Sequence, residues 1–210
     1  STRRTDIGLR HELRHYFPAP DITGNLGTQI VASGLHNKHN NDEIMNLSYF
    51  NLMLQAKKRV WIQTPYFRPP ETIVHTLKTL ATLGVDVRIM VSLSYASGGL
   101  FNRSTNNYFL RHVVGSGVRV FGYTNIMHAK TMLIDDDILC IGTVNLNTRS
   151  LEIDDEIYAY FESEALAAEY EEIFNRDLEL SNELDYEKFM KQSLISRAIE
   201  SVVSFLTPFS

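Results

Sequence analysis

The apolar positions change period along the chain, and the changes mark out its elements. From Asp42 to Lys58, Ile44, Met45, Leu47, Leu52 and Leu54 suggest a helix capped by Asn41 or Asp42. RVWIQTPYF (59–67) is apolar and β-branched enough for a strand. Pro69-Pro70 then opens a helix running to Leu83, and Gly84 stops it. VDVRIMVS (85–92) is the next strand, followed by a Gly- and Ser-rich loop, a helix over about 104–114, and the strand VRVFGY after Gly115 and Gly117. Two further strands, MHAKTMLID and ILCIGTVN, turn at Asp135-Asp136-Asp137, and EIYAYFE (156–162) adds another. A helix from about Ser163 to Leu180 and an amphipathic segment over about 185–206 complete the pattern. Residues 1–40 are mostly loop-like, with one apolar stretch at TQIVASG. Strands alternating with helices predict right-handed crossovers and an α/β layered sheet.

Composition narrows this little. A chain of 210 residues, 44% hydrophobic and 21% charged, is a soluble globular domain able to bury a sizeable core. Its net charge of −5 argues against a general nucleic-acid binder, because a polyphosphate backbone demands a basic footprint. Cys140, the single cysteine, lies in the apolar run ILCIG and reads as a packed residue, with no internal disulfide. There is no signal peptide or spanning run, and the basic start STRRTDIGLRHELRHYF reads as the middle of a longer chain.

The chemistry gathers in MHAKTMLIDDDILCIGTVN (127–145). On a strand, residues two apart share a face, so His128 and Lys130 project together while Ala129 turns into the packing. The same rule pairs Thr143 with Asn145, and Gly142 admits a close neighbour. An imidazole, an ammonium, a hydroxyl and a carboxamide on one face suit a phosphate: charge from Lys130, neutral donors from Thr143 and Asn145, and a nucleophile in His128. No metal or other cofactor is implied, since no cluster has metal-ligand spacing. Attack by the imidazole needs a neutral ring with its other nitrogen held, and Glu156 is the candidate partner. Asp135 sits in an ordinary Asp-rich turn.

Taken together, H-x-K-x4-D-x6-G-[ST]-x-N resembles the signature of the phospholipase D superfamily. TQIVASG, IQTPYF, GVDVRIMV, MHAKTMLID, GTVNLNTRS and Glu156, in that order, resemble the C-terminal half of bacterial cardiolipin synthases over about residues 16–206. The resemblance implies a mixed sheet flanked by helices on both faces, one half of a pseudo-symmetric two-motif enzyme. It assigns His128 as nucleophile or its acid/base counterpart, Lys130 and Asn145 to the phosphate, Thr143 to the hydroxyl position (usually Ser), Glu156 to orienting the His, and Asp135 to structure. It further implies phosphatidyl transfer between two phosphatidylglycerol molecules to give cardiolipin. The place would be the cytoplasmic side of a bacterial membrane, the fragment itself being soluble or peripheral. The corresponding division is residues 1–28 as linker or end of the preceding half, 29–182 as catalytic domain, and 183–210 as a C-terminal amphipathic helix.

The superfamily pairs two motifs, because a phosphohistidine route needs a nucleophile on one side of phosphorus and an acid on the other. This chain carries one copy; the near-match His36, Lys38 and Glu43 lacks a following G-[ST]-x-N and reads as loop. Completion is expected from an N-terminal motif-bearing half of the same enzyme or from a second copy of the chain. The alternatives are a single-motif homodimeric phosphodiesterase or nuclease, and a noncatalytic domain binding anionic lipid. Three smaller features are open. Tyr66 and Phe67 are either substrate contacts or plugs at the end of the core. Arg149-Ser150 stabilises the turn after Asn145. The terminal segment rests either on a membrane surface or on the partner half.

Overall fold

The computed structural model describes residues 24, 26–34, 44–93, 99–191 and 202. The expected cap at Asn41 or Asp42, the near-match at His36, Lys38 and Glu43, and most of the leading linker and terminal segment lie outside them. Strand β1 (Gly27–Ala32) is followed by α1 (Ile44–Leu54), β2 (Arg59–Thr64), β3 (Phe67–Arg68), α2 (Glu71–Thr82), β4 (Asp86–Ser92), α3 (Gly99–Leu110) and β5 (Arg119–Tyr123). Then come β6 (Thr131–Ile134), β7 (Ile138–Gly142), β8 (Leu146–Asn147), α4 (Thr148–Glu152), β9 (Ile157–Glu162), α5 (Glu164–Glu179), β10 (Ser181–Glu183) and α6 (Tyr186–Met190).

Eight strands form one mixed sheet in the order β1-β9-β7-β6-β2-β4-β5-β10. The crossovers β2-α2-β4 and β4-α3-β5 give parallel pairs, as intervening helices require. Every other neighbour in this sheet is antiparallel. A separate two-stranded parallel pair joins β3 to β8.

Strand alternation divides the core into two layers. Val60, Ile62, Val87, Ile89, Met132, Ile134 and Cys140 face one side with Met45, Tyr49 and Met53 of α1 and Ile73 and Leu77 of α2. Trp61, Met90, Leu133 and Leu139, one residue out of step, face Ala167, Tyr170 and Phe174 of α5. Helices therefore cover both faces. Each fully buried aliphatic or aromatic side chain contributes about 1.5–3 kcal/mol relative to exposure, which is why two such layers hold the sheet.

Helix limits follow the expected punctuation. Ser163 caps α5, accepting from the Leu166 amide at 3.3 Å, and Gly84, at φ 91°, follows α2. The α3 helix departs from expectation: it begins at Gly99, not near 104, and ends at Leu110. Residues 111–114 turn instead, which brings Val113 and Val114 into the core, and Gly115 at φ 84° completes the turn. The motif strands are also shorter than their apolar pattern, since only 131–134 and 138–142 join the ladder. Of the expected terminal helix, α6 covers 186–190 and residue 202 is helical; the rest lies outside the described residues.

Candidate active site

The motif residues meet at the end of the sheet where β7 leaves and β6 and β9 enter. Residues 127–130 lead into β6 without joining its ladder, and Met127, His128 and Ala129 alternate between core and solvent as on a strand. Met127 is buried against the α5 layer and Ala129 packs on it, while His128 is exposed and Lys130 half-buried. Lys130 is tied in by its carbonyl, which accepts from the Gly142 amide at 3.2 Å. The next residue, Thr131, bonds the Tyr170 hydroxyl of α5.

The Lys130 ammonium lies 3.1 Å from His128 Nδ1, 3.2 Å from Nε2 and 3.1 Å from the His128 carbonyl oxygen. Being nearly equidistant from both ring nitrogens, it does not select between them. Burial draws the Lys130 pKa down, and the charge of Glu156 opposes that. A desolvated ammonium beside an imidazole suits a phosphodiester anion.

Glu156 is not where the sequence expectation placed it. Its carboxylate accepts from the Thr143 hydroxyl, across the gap between the end of β7 and the start of β9, and does not hold the His128 ring. The reason is local pairing. Thr143 and Ile157 exchange backbone and side-chain bonds, with the Thr143 amide to Ile157 O at 2.8 Å and the Ile157 amide to Thr143 Oγ1 at 3.0 Å. That brings the adjacent carboxylate onto the hydroxyl. Ser33, just after β1, fixes the Glu156 backbone: its hydroxyl donates to Asp154 O at 2.9 Å and accepts from the Glu156 amide at 3.0 Å. Nothing in the stretch TQIVASG marked Ser33 for this task, because the pairing of β1 with β9 joins residues more than a hundred apart.

Gly142 provides for a close neighbouring backbone. A Cβ there would lie 2.3 Å from Ile157 O and 2.4 Å from Tyr158 Cβ. Val144 is buried and Asn145 half-buried, its Nδ2 3.4 Å from Ser150 Oγ and its Oδ1 buried without a hydrogen-bond partner among the described residues. The Ser150 hydroxyl can equally donate to an oxygen at the first position, so a half-turn of the amide presents Nδ2 in place of Oδ1. Asn147 caps α4 by accepting from the Ser150 amide at 2.8 Å, and Arg149 binds Asp154 at 2.9 Å. Arg149-Ser150 thus belongs to the turn.

Asp135 stands at the far end of β6. Its carboxylate accepts from the amides of Lys57 (3.0 Å), Lys58 (2.7 Å) and Arg59 (3.1 Å), bracing the hairpin against the α1–β2 connection. The two aromatics of TPYF part company. Phe67 is fully buried in the core, as a plug would be. Tyr66 is half-buried and meets His128 edge-on, ring centroids 6.5 Å apart and planes at 85°. Among the described residues no group of three or more His, Cys, Asp or Glu is arranged to hold a metal ion, and no helix is long and apolar enough to cross a membrane.

A family model described as the cardiolipin synthase PLD-like domain matches residues 49–178. The chain belongs to this family. It is 32% identical to a Staphylococcus epidermidis protein named cardiolipin synthase 2 over 99% of its own length and 42% of that protein's. It is 35% identical to a Clostridium perfringens cardiolipin synthase, covering 41% of that chain. It therefore spans about two-fifths of the curated relatives it matches. Among solved structures, the phospholipase D family member Nuc from Salmonella typhimurium superposes with a TM-score of 0.63 at 16% identity, over 76% of this chain and 98% of Nuc. The phosphatidylserine synthase of Haemophilus influenzae gives 0.65 at 21% identity, over 87% of this chain and 44% of that one. These likenesses give this cardiolipin synthase PLD-like domain the phospholipase D fold.

Proposed function

We propose that the chain is the C-terminal catalytic half of a cardiolipin synthase, completed by a second motif-bearing half. The observation that carries this reading is the pairing of His128 with a desolvated Lys130 at the same sheet end as Thr143 and Asn145, in a chain of this family. One of the two paired histidines attacks the phosphorus of a phosphatidylglycerol, and the bond from phosphorus to the glycerol headgroup breaks. The other histidine protonates the departing glycerol alkoxide. The phosphatidyl-histidine is then attacked by the free hydroxyl of a second phosphatidylglycerol, whose proton returns to the other histidine as the phosphorus–nitrogen bond breaks. Cardiolipin leaves and both rings are regenerated. Lys130 and the Asn145 amide hold the phosphate oxygens. Thr143, tied to Glu156, lines the same site, and the chemistry takes place at a membrane surface.

The test is His128→Ala in the complete enzyme, assayed for transfer of a labelled phosphatidyl group between phosphatidylglycerol molecules in vesicles. Loss of transfer with unchanged thermal unfolding is expected. Retained transfer refutes the assignment, and transfer by this chain alone at a dimer's mass replaces the two-half enzyme with a homodimer.

A further inference from the structure

Thr64 ends β2 fully buried; its hydroxyl donates to Tyr66 O at 2.9 Å and accepts from the Leu146 amide at 3.1 Å. Asn106, fully buried on α3, donates through Nδ2 to Pro65 O at 3.1 Å and accepts from the Phe67 amide at 3.0 Å. Two buried polar side chains, brought from elements about forty residues apart, therefore pin the peptide on either side of Tyr66. Such an arrangement exceeds what a surface aromatic requires. The Tyr66 ring meets His128 edge-on at 6.5 Å, and the Arg68 guanidinium carbon lies 5.5 Å from the same ring's centroid. Arg68 is itself only 5% exposed, and burial draws its pKa down.

The His128 ring needs something to aim it. Lys130 lies equally close to both nitrogens, and the Glu156 carboxylate is taken by Thr143. The Tyr66 ring, by contrast, meets the imidazole edge-on from a fixed position on the chain. Resting on the phosphohistidine reading above, we propose that Tyr66 is the positioning residue for His128: it fixes the direction in which the imidazole presents its nitrogens to phosphorus, and Arg68 stiffens it. Edge-to-face aromatic pairs and guanidinium–ring contacts are both directional, so a ring held in this way restricts the rotation of its neighbour. Attack depends steeply on that direction, since small misplacements of a reacting group cost orders of magnitude in rate.

The complete enzyme carrying Tyr66→Leu, Tyr66→Phe or Arg68→Gln is assayed on phosphatidylglycerol vesicles beside His128→Ala. Tyr66→Leu is expected to lower kcat about tenfold with KM held, because the interaction acts on the attack geometry and not on lipid binding. Tyr66→Phe, which keeps the ring, restores kcat to within about twofold, and Arg68→Gln gives a smaller loss of the same kind. In nuclear magnetic resonance spectra of the chain, Tyr66→Leu moves the His128 ring protons out of the tyrosine ring current, while Tyr66→Phe leaves them in place. A raised KM with unchanged kcat makes Tyr66 a substrate contact and overturns the proposal. Equal behaviour of the Leu and Phe variants, or unmoved His128 resonances, overturns it too. Should Tyr66→Leu lose its cooperative unfolding, Arg68→Gln and Tyr66→Phe carry the test. An inactive His128→Ala beside a fully active Tyr66→Leu sinks this inference alone, whereas an active His128→Ala sinks the reading beneath it as well.

Discussion

Asp135 is the motif residue whose task can be read entirely from bonds within the chain. Its carboxylate gathers three consecutive amides, those of Lys57, Lys58 and Arg59, and its own backbone takes φ 50°, the left-handed region. Two costs therefore separate under substitution. Amide bonds to a charged acceptor contribute about 1.5–3 kcal/mol when buried. The Lys57 and Lys58 amides are exposed and regain water, so roughly 0.5–1 kcal/mol per bond is the better figure, or about 2 kcal/mol for the three. A left-handed non-glycine residue without a compensating side chain adds about 1–2 kcal/mol. Asp135→Ala incurs both and is expected to destabilise by about 3–4 kcal/mol. Asp135→Gly relieves the backbone and loses about 2 kcal/mol, while Asp135→Asn keeps an acceptor and tolerates the backbone, losing about 1 kcal/mol. Urea unfolding, followed by the fluorescence of the single tryptophan, Trp61, measures this. That buried ring has the Arg59 and Arg88 guanidinium carbons 4.7 and 4.2 Å from its centroid, packs in the α5 layer and reports loss of that layer. With a slope of about 2 kcal/mol per molar urea, the Ala variant's midpoint falls by about 1.5–2 M. An order other than Ala worst and Asn mildest, or an Ala loss under about 1 kcal/mol, refutes the bracing role.

Other consequences are as direct. Gly142→Ala sets a Cβ 2.3 Å from Ile157 O, so β7 and β9 must part; a loss of about 2–4 kcal/mol is expected, and native-like unfolding of this variant contradicts the packing. Burial pushes the Cys140 thiol from 9.0 and the Tyr158 hydroxyl from 10.0 up to about 12 each. Both groups keep their protons when folded and release them sooner when unfolded. Their contribution to stability is thus complete below about pH 9 and is lost as the pH rises toward 12, at about 1.4 kcal/mol per pH unit for each fully coupled group. Cys140→Ala removes the part of that decline that begins near pH 9, and a decline indifferent to the substitution tells against a buried thiol. Native Cys140 also stays unlabelled by a thiol reagent until urea unfolds the chain.

The division of the motif into working parts explains how a polar site persists at the rim of an apolar sheet. Asp135 anchors one end of β6 while Thr131, bonded to Tyr170, secures the other. Lys130 and His128 then extend from a fixed strand. The opposite wall is held by the Thr143–Ile157 exchange and by Ser33 beneath Glu156. Side chains placed by rigid elements lose less freedom on meeting substrate than side chains on loose loops.

What depends on neighbours close in the chain is legible from the residues alone. The out-of-step pairs Val60/Trp61, Val87/Arg88 and Met132/Leu133 already encode which residue faces which layer, because strand alternation is a local geometric rule. The co-facing of His128 with Lys130 and the turning of Ala129 into the packing follow from the same rule, and the motif spacing carried the family. Tertiary structure decided everything that needs a partner distant in sequence. The edge position of β1 beside β9, the late strand β10 on β5, and the β3–β8 pair are hydrogen-bond ladders between segments whose own residues are only weakly patterned. Glu156 went to Thr143 and not to His128 because the β7–β9 register set the backbones of Thr143 and Ile157 face to face, which brings the neighbouring Glu156 carboxylate onto the Thr143 hydroxyl. Asn106, one polar residue among several on α3, became a clamp on Pro65 and Phe67 only when the sheet brought α3 against β3. Local periodicity fixes the direction in which a side chain points; only the assembled sheet fixes what it meets there.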